Sequence, residues 1–306
     1  MRVAPGPDSA RRNATSLNFR MALVFSRREA DLYSPGGGDL AAAALLARTT
    51  HLCVAAHQDD IEIMAHEGIA ACYGRAEKFF TGVVVTNGAG SPRAGAYAKF
   101  SDDQMLAVRR AEQRRAAELG KYNLIVQLGH PSSDVKASRH REVFHDLTAV
   151  FAGCSPEVVY LHQPADKHDT HVAVLLRCLE ALRALPRSKR PRRVLGCEVW
   201  RDLDWLVDAD KVALDASGLP ELAPELLKVF DSQVAGGKRY DLAALGRRRA
   251  NATFHTSHAT DATEAITWAM DLTPLVADET RSIGEFTLAQ VDRLRADVAQ
   301  RLARFE

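Results

Sequence analysis

The feature that most constrains this chain is an alternation, beginning at His51, of short apolar runs with longer amphipathic ones. Segments 52–56, 79–86, 124–128, 158–161 and 194–200 read as strands, and 61–73, 105–119, 143–151 and 171–185 have helical spacing. The strand segments are unbroken apolar runs, with Val83, Val84 and Val85 at the centre of one. Such runs fit a sheet buried on both faces. Strands that alternate with helices join as right-handed βαβ units. The spacing therefore predicts a Rossmann-like, three-layer α/β/α fold with a mainly parallel central sheet.

The flanks are less regular. Residues 1 to about 20 mix Pro, Gly, Ser and Arg without periodicity and read as a loose arm. Gly36, Gly37 and Gly38 mark a joint, and 39–48 reads as a helix. We divide the chain into an arm and helix (1–50), a core (51–233) and a C-terminal substrate-shaping region (234–306). The last region ends in an amphipathic helix over 287–305, where Leu288, Val291, Leu294, Val298, Leu302 and Phe305 fall three and four apart. Thr287 and Gln290 have the form of a capping box for it. Its apolar face packs either on the domain or on a second copy, which leaves a homo-oligomer open.

Composition narrows the function. Forty Lys and Arg against 39 Asp and Glu give a net charge of +1, which argues against nucleic acid or an anionic membrane as the partner of the whole surface. Cys53, Cys72, Cys154, Cys178 and Cys197 include no C-x-x-C pair, so neither a disulfide framework nor a thiolate zinc site is expected, and they read as core residues. No apolar run approaches the ~18 residues of a membrane span. The N-terminus carries early charges and no apolar signal-peptide core, so a cytoplasmic protein is expected.

Two polar clusters follow strand segments, where open α/β sheets hold their ligands. The first is His57-Gln58-Asp59-Asp60-Ile61-Glu62. One imidazole with two carboxylates suits zinc and tolerates iron, cobalt or manganese. One aspartate can coordinate while the other faces the site as a base; a competing role for either is to cap the helix that follows. The second cluster runs from His162 to His171 and places His168 and His171 three apart at a helix start, on one face. One of these can bind metal while the other meets substrate. Two histidines and a carboxylate would leave coordination positions open, as catalytic sites do.

These clusters resemble the PIG-L/LmbE family of metal-dependent deacetylases. The family pattern A-H-P-D-D-x-E stands here as Ala56-His57-Gln58-Asp59-Asp60-Ile61-Glu62, and its H-x-x-H as His168-Asp169-Thr170-His171. Weaker echoes are Arg109 and Glu112 with Gly120, Thr86-Asn87-Gly88, and Ser232-Gln233 with Lys228 upstream. The resemblance spans about 51–233. It implies that His57, Asp60 and His171 bind Zn2+, or Fe2+ or Co2+ in its place. It implies Asp59 as general base, His168 as general acid or oxyanion stabiliser, and Arg109 and Gln233 as substrate contacts. Two departures stand out: Gln58 replaces the usual proline, and the family's aspartate between the two histidines is displaced by one residue.

The expected reaction is removal of an N-acetyl group from a small amino-sugar-containing molecule, giving acetate and a free amine. Alternatives are an amidase on a larger acyl or thiol-sugar conjugate, and a catalytically silent metal- or ligand-binding protein. The specificity segments are expected to be 86–97, with Arg93 or Tyr97 near substrate, and 228–258. Other signals are weaker. The glycines of 88–95 match no nucleotide-phosphate motif. The basic run from Arg187 to Arg193 lacks interleaved aromatics and reads as a solvated loop. No G-x-S-x-G elbow supports a serine hydrolase.

Overall fold

A computed structural model describes residues 23–37 and 40–306; the expected arm over 1–20 lies outside them. Its strands are β1 (Asp31–Tyr33), β2 (His51–Ala55), β3 (Phe80–Thr86), β4 (Leu124–His130), β5 (Val158–His162), β6 (Val194–Cys197), β7 (Lys211–Asp215) and β8 (Ile266–Asp271). They form one sheet in the order β1-β4-β3-β2-β5-β6-β8-β7. Strands β2 to β6 run parallel, while β1 pairs antiparallel with β4 and β8 pairs antiparallel with both β6 and β7. The chain is thus an α/β protein with a mainly parallel sheet.

The side-chain alternation of the parallel strands builds two cores. Leu52, Val54, Val83, Val85, Val126 and Leu161 face one layer, packed by the helices Arg141–Ala152 and Asp169–Ala184. Cys53, Ala55, Val84, Ile125 and Tyr160 face the other, packed by the helices Asp60–Met64, His66–Cys72 and Asp102–Leu119. All five cysteines are free and buried in these layers. Close approach of the second layer needs Gly82 in β3. A Cβ there would sit 2.8 Å from the Ile61 side chain and 2.9 Å from that of Ile125.

Several boundaries differ from expectation. The segment 61–73 is two helices, broken at Ala65, whose φ of −121° leaves the helical region. The 105–119 helix starts at Asp102, with Ser101 and Gln104 as a reciprocal capping box. The terminal helix is Ile283–Leu302, and its cap is Ser282, whose Oγ accepts from the Glu285 N–H. Thr287 is no cap: it lies inside the helix and its hydroxyl donates to the Ile283 carbonyl at 2.7 Å. Ile283 and Phe286 pack on the core, whereas Leu288, Val298 and Phe305 are 64%, 46% and 90% exposed. No helix among the described residues is long and apolar enough to cross a membrane.

Candidate functional site

The first cluster leaves the carboxyl end of β2 through a turn with an unusual backbone. Asp59 has φ +91° and ψ −31°, a region that disfavours a residue with a Cβ. Its side chain makes no cap hydrogen bond to the helix Asp60–Met64, so the capping role is not realised. The turn instead aims both carboxylates inward. Asp60 Oδ2 accepts the His57 N–H at 2.7 Å. Asp59 Oδ2 accepts from Arg109 at 2.9 Å.

Three donor atoms converge on one point. His57 Nδ1 lies 3.2 Å from His171 Nε2, and Asp60 Oδ2 lies 3.3 Å from each of them. Ligands bound at ~2.0–2.2 Å around one ion stand roughly 3 Å apart, so this triangle has the size of a metal's coordination face. His168 offers a further nitrogen within 4.8 Å of His57 and His171. Asp60, His162 and His171 also converge within 4.8 Å. The His162 Nε2 lone pair, however, accepts the Ala56 N–H at 2.9 Å, which leaves it none for a metal.

The second cluster contains a residue that sequence reasoning missed. Asp166 Oδ2 lies 3.4 Å from His171 Nδ1 and accepts the Trp200 N–H at 3.2 Å, while its Oδ1 accepts the His168 N–H at 2.9 Å. A carboxylate behind a coordinating imidazole fixes its orientation and tautomer. Asp169, the displaced family aspartate, is exposed. Asp166, five residues before His171, sits on its ring instead. His162, also missed, stacks on His171 at 4.0 Å between ring centroids.

The electrostatics separate the two aspartates. Burial opposes ionisation of Asp60, but His171, His57 and His162 outweigh it and hold the carboxyl well below its usual range. Burial pushes Asp59 up to about 6, with Arg109 pulling down and Asp60 pushing up. A base with a pKa just below neutrality is ionised at pH 7 and still a competent proton acceptor. Burial would lower His171, but Asp60 and Asp166 raise it to about 9. Burial, then the charges of His171 and His57, lower His168 to about 4, so its imidazole is neutral. Its Nδ1 accepts the Thr170 N–H at 3.3 Å, which assigns the ring proton to Nε2.

Behind Asp59 lies a buried polar girdle. Arg109 is 1% exposed; it donates to the Gln58 carbonyl, to Asp59, and to Glu112 Oε2 at 3.2 Å. Glu112 in turn accepts from the Ser232 N–H at 2.7 Å and the Ser232 hydroxyl at 2.8 Å. Gln233 donates to Ser232 Oγ at 3.2 Å. Arg109 and Gln233 both border the cleft, and both spend hydrogen bonds inside the protein. Gln58, the proline replacement, is 1% exposed and turns its amide to the Thr86 carbonyl (3.4 Å) and Gln127 (3.2 Å), tying the turn to β3 and β4. Gly88, at φ +73°, permits this: a Cβ there would be 2.6 Å from Gln58 Oε1. Glu62 faces away from the donor triangle, accepting from Tyr122 and Gln113 at 2.7 and 2.8 Å.

The cluster opens into a cleft of about 490 Å³, lined by His57, Asp59, Asp60 and His168 together with Gly88, Gly90, Ser91, Pro92, Lys136, Trp200, Lys238 and Tyr240. Trp200, missed as a cleft residue because it ends an apolar run, meets Tyr240 edge-on at 6.0 Å and lies under the Lys238 ammonium at 5.2 Å. Of the expected specificity segments, 88–92 and the portion around Gln233–Tyr240 reach the cleft. Tyr97 donates to Asp231, Arg93 pairs with Asp102, and His255 sits against Trp268. The basic run is partly structural: Arg190 binds the Val276, Leu185 and Arg183 carbonyls and pairs with Glu279.

Residues 52–182 match the model of a family described as PIG-L, GlcNAc-PI de-N-acetylase. Among curated proteins, none matches this chain by sequence. Several solved structures share the fold. An N,N'-diacetylchitobiose deacetylase from Pyrococcus horikoshii is 17% identical, with 75% of this chain and 86% of that chain covered and a TM-score of 0.57. The 4-carboxy-2-hydroxymuconate hydratase GalB from Pseudomonas putida KT2440 is 18% identical over 73% and 96%, with a TM-score of 0.53. The A40926 pseudoaglycone deacetylase Dbv21 is 15% identical over 73% and 97%, also at 0.53.

Proposed function

We propose, from the match of residues 52–182 to the PIG-L family model, that the protein is a metal-dependent hydrolase that removes an N-acetyl group from a small amino-sugar-containing molecule. The observation that carries the reading is the triangle of His57 Nδ1, Asp60 Oδ2 and His171 Nε2, with edges of 3.2–3.3 Å, beside the carboxylate of Asp59. The donor set of two imidazoles and one carboxylate fits a catalytic zinc, and also Fe2+ or Co2+. His57, Asp60 and His171 would hold the ion. When bound, such an ion supplies Lewis acidity, polarising the acetyl carbonyl and easing deprotonation of the attacking water.

The remaining chemistry belongs to the chain. Arg109 occupies Asp59 Oδ2, which leaves Oδ1 to take the proton from water as it attacks. The neutral His168 donates its Nε2–H to the oxyanion that develops on the carbonyl oxygen. This favours an oxyanion stabiliser over a general acid, because a ring with a pKa of about 4 carries no spare proton at neutral pH. The proton held by Asp59 then passes to the departing nitrogen, and the products are acetate and a free amine. The Trp200 and Tyr240 rings beside the cleft suit stacking on a sugar face, and Gln233 and Lys238 suit its hydroxyls.

Two deacetylases with this fold act, by name, on N,N'-diacetylchitobiose and on the A40926 pseudoaglycone, which supports an N-acylated sugar as the substrate class. The test is acetate release from a panel of N-acetylglucosamine conjugates, with chelator and with metal restored. Acetate release that chelator abolishes and metal restores is the expected outcome. A metal-loaded protein that releases no acyl group from any of them overturns the reading.

A further inference from the structure

A second site lies at the opposite end of the sheet. A pocket of about 350 Å³ is lined by Arg48, Arg75, Lys78, Lys121, Phe79 and Asn123, among others. Arg48 precedes β2, Lys78 precedes β3, and Lys121 precedes β4, so the pocket lies at the strands' amino ends. β3 runs from Phe80 to Thr86, seven residues. That length places the pocket roughly 20 Å from the donor triangle at the other end.

The charges here are handled in an unusual way. The lining holds four cations and one carboxylate, Glu118. Glu118 is already engaged, accepting from Tyr33 at 2.8 Å and pairing with Arg115 at 2.8 Å. Among the described residues no carboxylate lies within ion-pair distance of Arg48, Arg75, Lys78 or Lys121. In a chain whose net charge is only +1, four cations against Glu118 in the lining and Glu77 in the 75–78 loop make a local excess of positive charge.

Two of the four cations are nevertheless held in place, by neutral groups. The Arg48 guanidinium lies 4.4 Å from the centroid of the Phe79 ring and donates to Asn123 Oδ1 at 2.5 Å. The Lys121 ammonium lies 4.4 Å from the centroid of the Tyr73 ring. Aromatic faces and an amide oxygen orient a cation without cancelling its charge. Lys121 also follows the end of the helix Asp102–Leu119 in a left-handed conformation, φ +50°. Glycine is the residue that fits this position without cost. A lysine there strains the backbone locally and brings an ammonium to the rim of the pocket.

We propose that this pocket binds a small phosphorylated ligand, its phosphate oxygens bridged between Arg48, Lys121 and the Arg75–Lys78 loop. Oriented, uncompensated guanidinium and ammonium groups around a concave wall are what such an anion requires. The site is independent of the reaction proposed above.

The experiment is calorimetric titration of the purified 306-residue chain with inorganic pyrophosphate at low salt, comparing wild type, Lys121→Gly and Arg75→Ala/Lys78→Ala. Lys121→Gly relieves the left-handed strain, so it should raise the melting temperature while weakening pyrophosphate binding roughly tenfold or more, the scale of one lost charge-assisted contact. Arg75→Ala/Lys78→Ala should weaken it further, and neither variant should alter acetate release. Lys238→Ala, in the cleft at the carboxyl end, is the control. Absence of saturable binding to the wild type, or equal affinity in wild type and Lys121→Gly, overturns the proposal. Loss of binding in Lys238→Ala alone also overturns it, since the anion would then sit in the other cleft.

Discussion

The two ends of the sheet handle charge in opposite ways. At the carboxyl end, Arg109, Asp59, Glu112, Asp60, His171 and Asp166 are all buried and locked to one another. At the amino end, Arg48, Arg75, Lys78 and Lys121 are exposed and lack carboxylate partners. Pairing in a low-dielectric interior fixes geometry, which is what a reaction needs of the groups that act at defined atoms. Leaving charge unpaired at a water-facing pocket keeps it available to a ligand that arrives by diffusion. One sheet therefore offers a preorganised reaction site at one end and a charged receptor at the other.

The comparison can be broken from either side. The largest expected effect is at the carboxyl end: Asp59→Asn should lower kcat by ~10²–10⁴-fold, since an amide cannot accept the water's proton. Steady-state acetate release measures it, and a near-wild-type kcat would remove Asp59 from the mechanism. Glu198, just beyond β6, is next. Burial raises its carboxyl to about 7, although Trp268 N–H and Asn251 donate to it. A folded-state pKa above the ordinary 4.5 stabilises the fold fully below pH 4.5, and that contribution fades as pH rises through 7. The loss should approach about 3 kcal/mol. Denaturant midpoints should fall between pH 5 and 7, and Glu198→Gln should flatten that fall.

A smaller effect separates positioning from ligation. Asp166→Ala leaves the donor triangle's three residues in place but removes the partner of His171 Nδ1, so metal affinity should drop ~10–100-fold. Competition against a fluorescent chelator reads it, and unchanged affinity would make Asp166 a loop residue only. The smallest effect lies at the amino end. Lys121→Gly should add about 0.5–1 kcal/mol of stability with turnover unchanged. A fall in melting temperature would show that Lys121's contact with Tyr73 matters more than its backbone strain.

What the sequence made legible follows the same division. Strands β2 to β6 were readable because both of their faces are buried, which forces unbroken apolar runs such as Val83-Val84-Val85. β1 is three residues at an edge, too short for any period to register. β7 carries an exposed residue at Ala213 and another at Asp215, and β8 follows a long irregular stretch, so neither announced itself. The donor clusters were readable as His and Asp at strand ends. Which residues stand behind them was less so. Asp166 reaches His171 only because 162–168 folds back over the end of β5, and Ser232 meets Glu112 from 120 residues away. The amino-end pocket was invisible, since Arg48, the Arg75–Lys78 loop and Lys121 come from three connections that only the parallel sheet gathers.

The account rests most directly on metal stoichiometry. Wild type, Asp59→Asn and Asp60→Asn, purified in parallel from metal-replete cultures, should be compared by elemental analysis. The account predicts about one divalent ion per chain in wild type and in Asp59→Asn, and little in Asp60→Asn, whose Oδ2 is a corner of the triangle. A metal-free wild type, or a variant pair in which Asp59→Asn loses the ion and Asp60→Asn keeps it, would contradict the account.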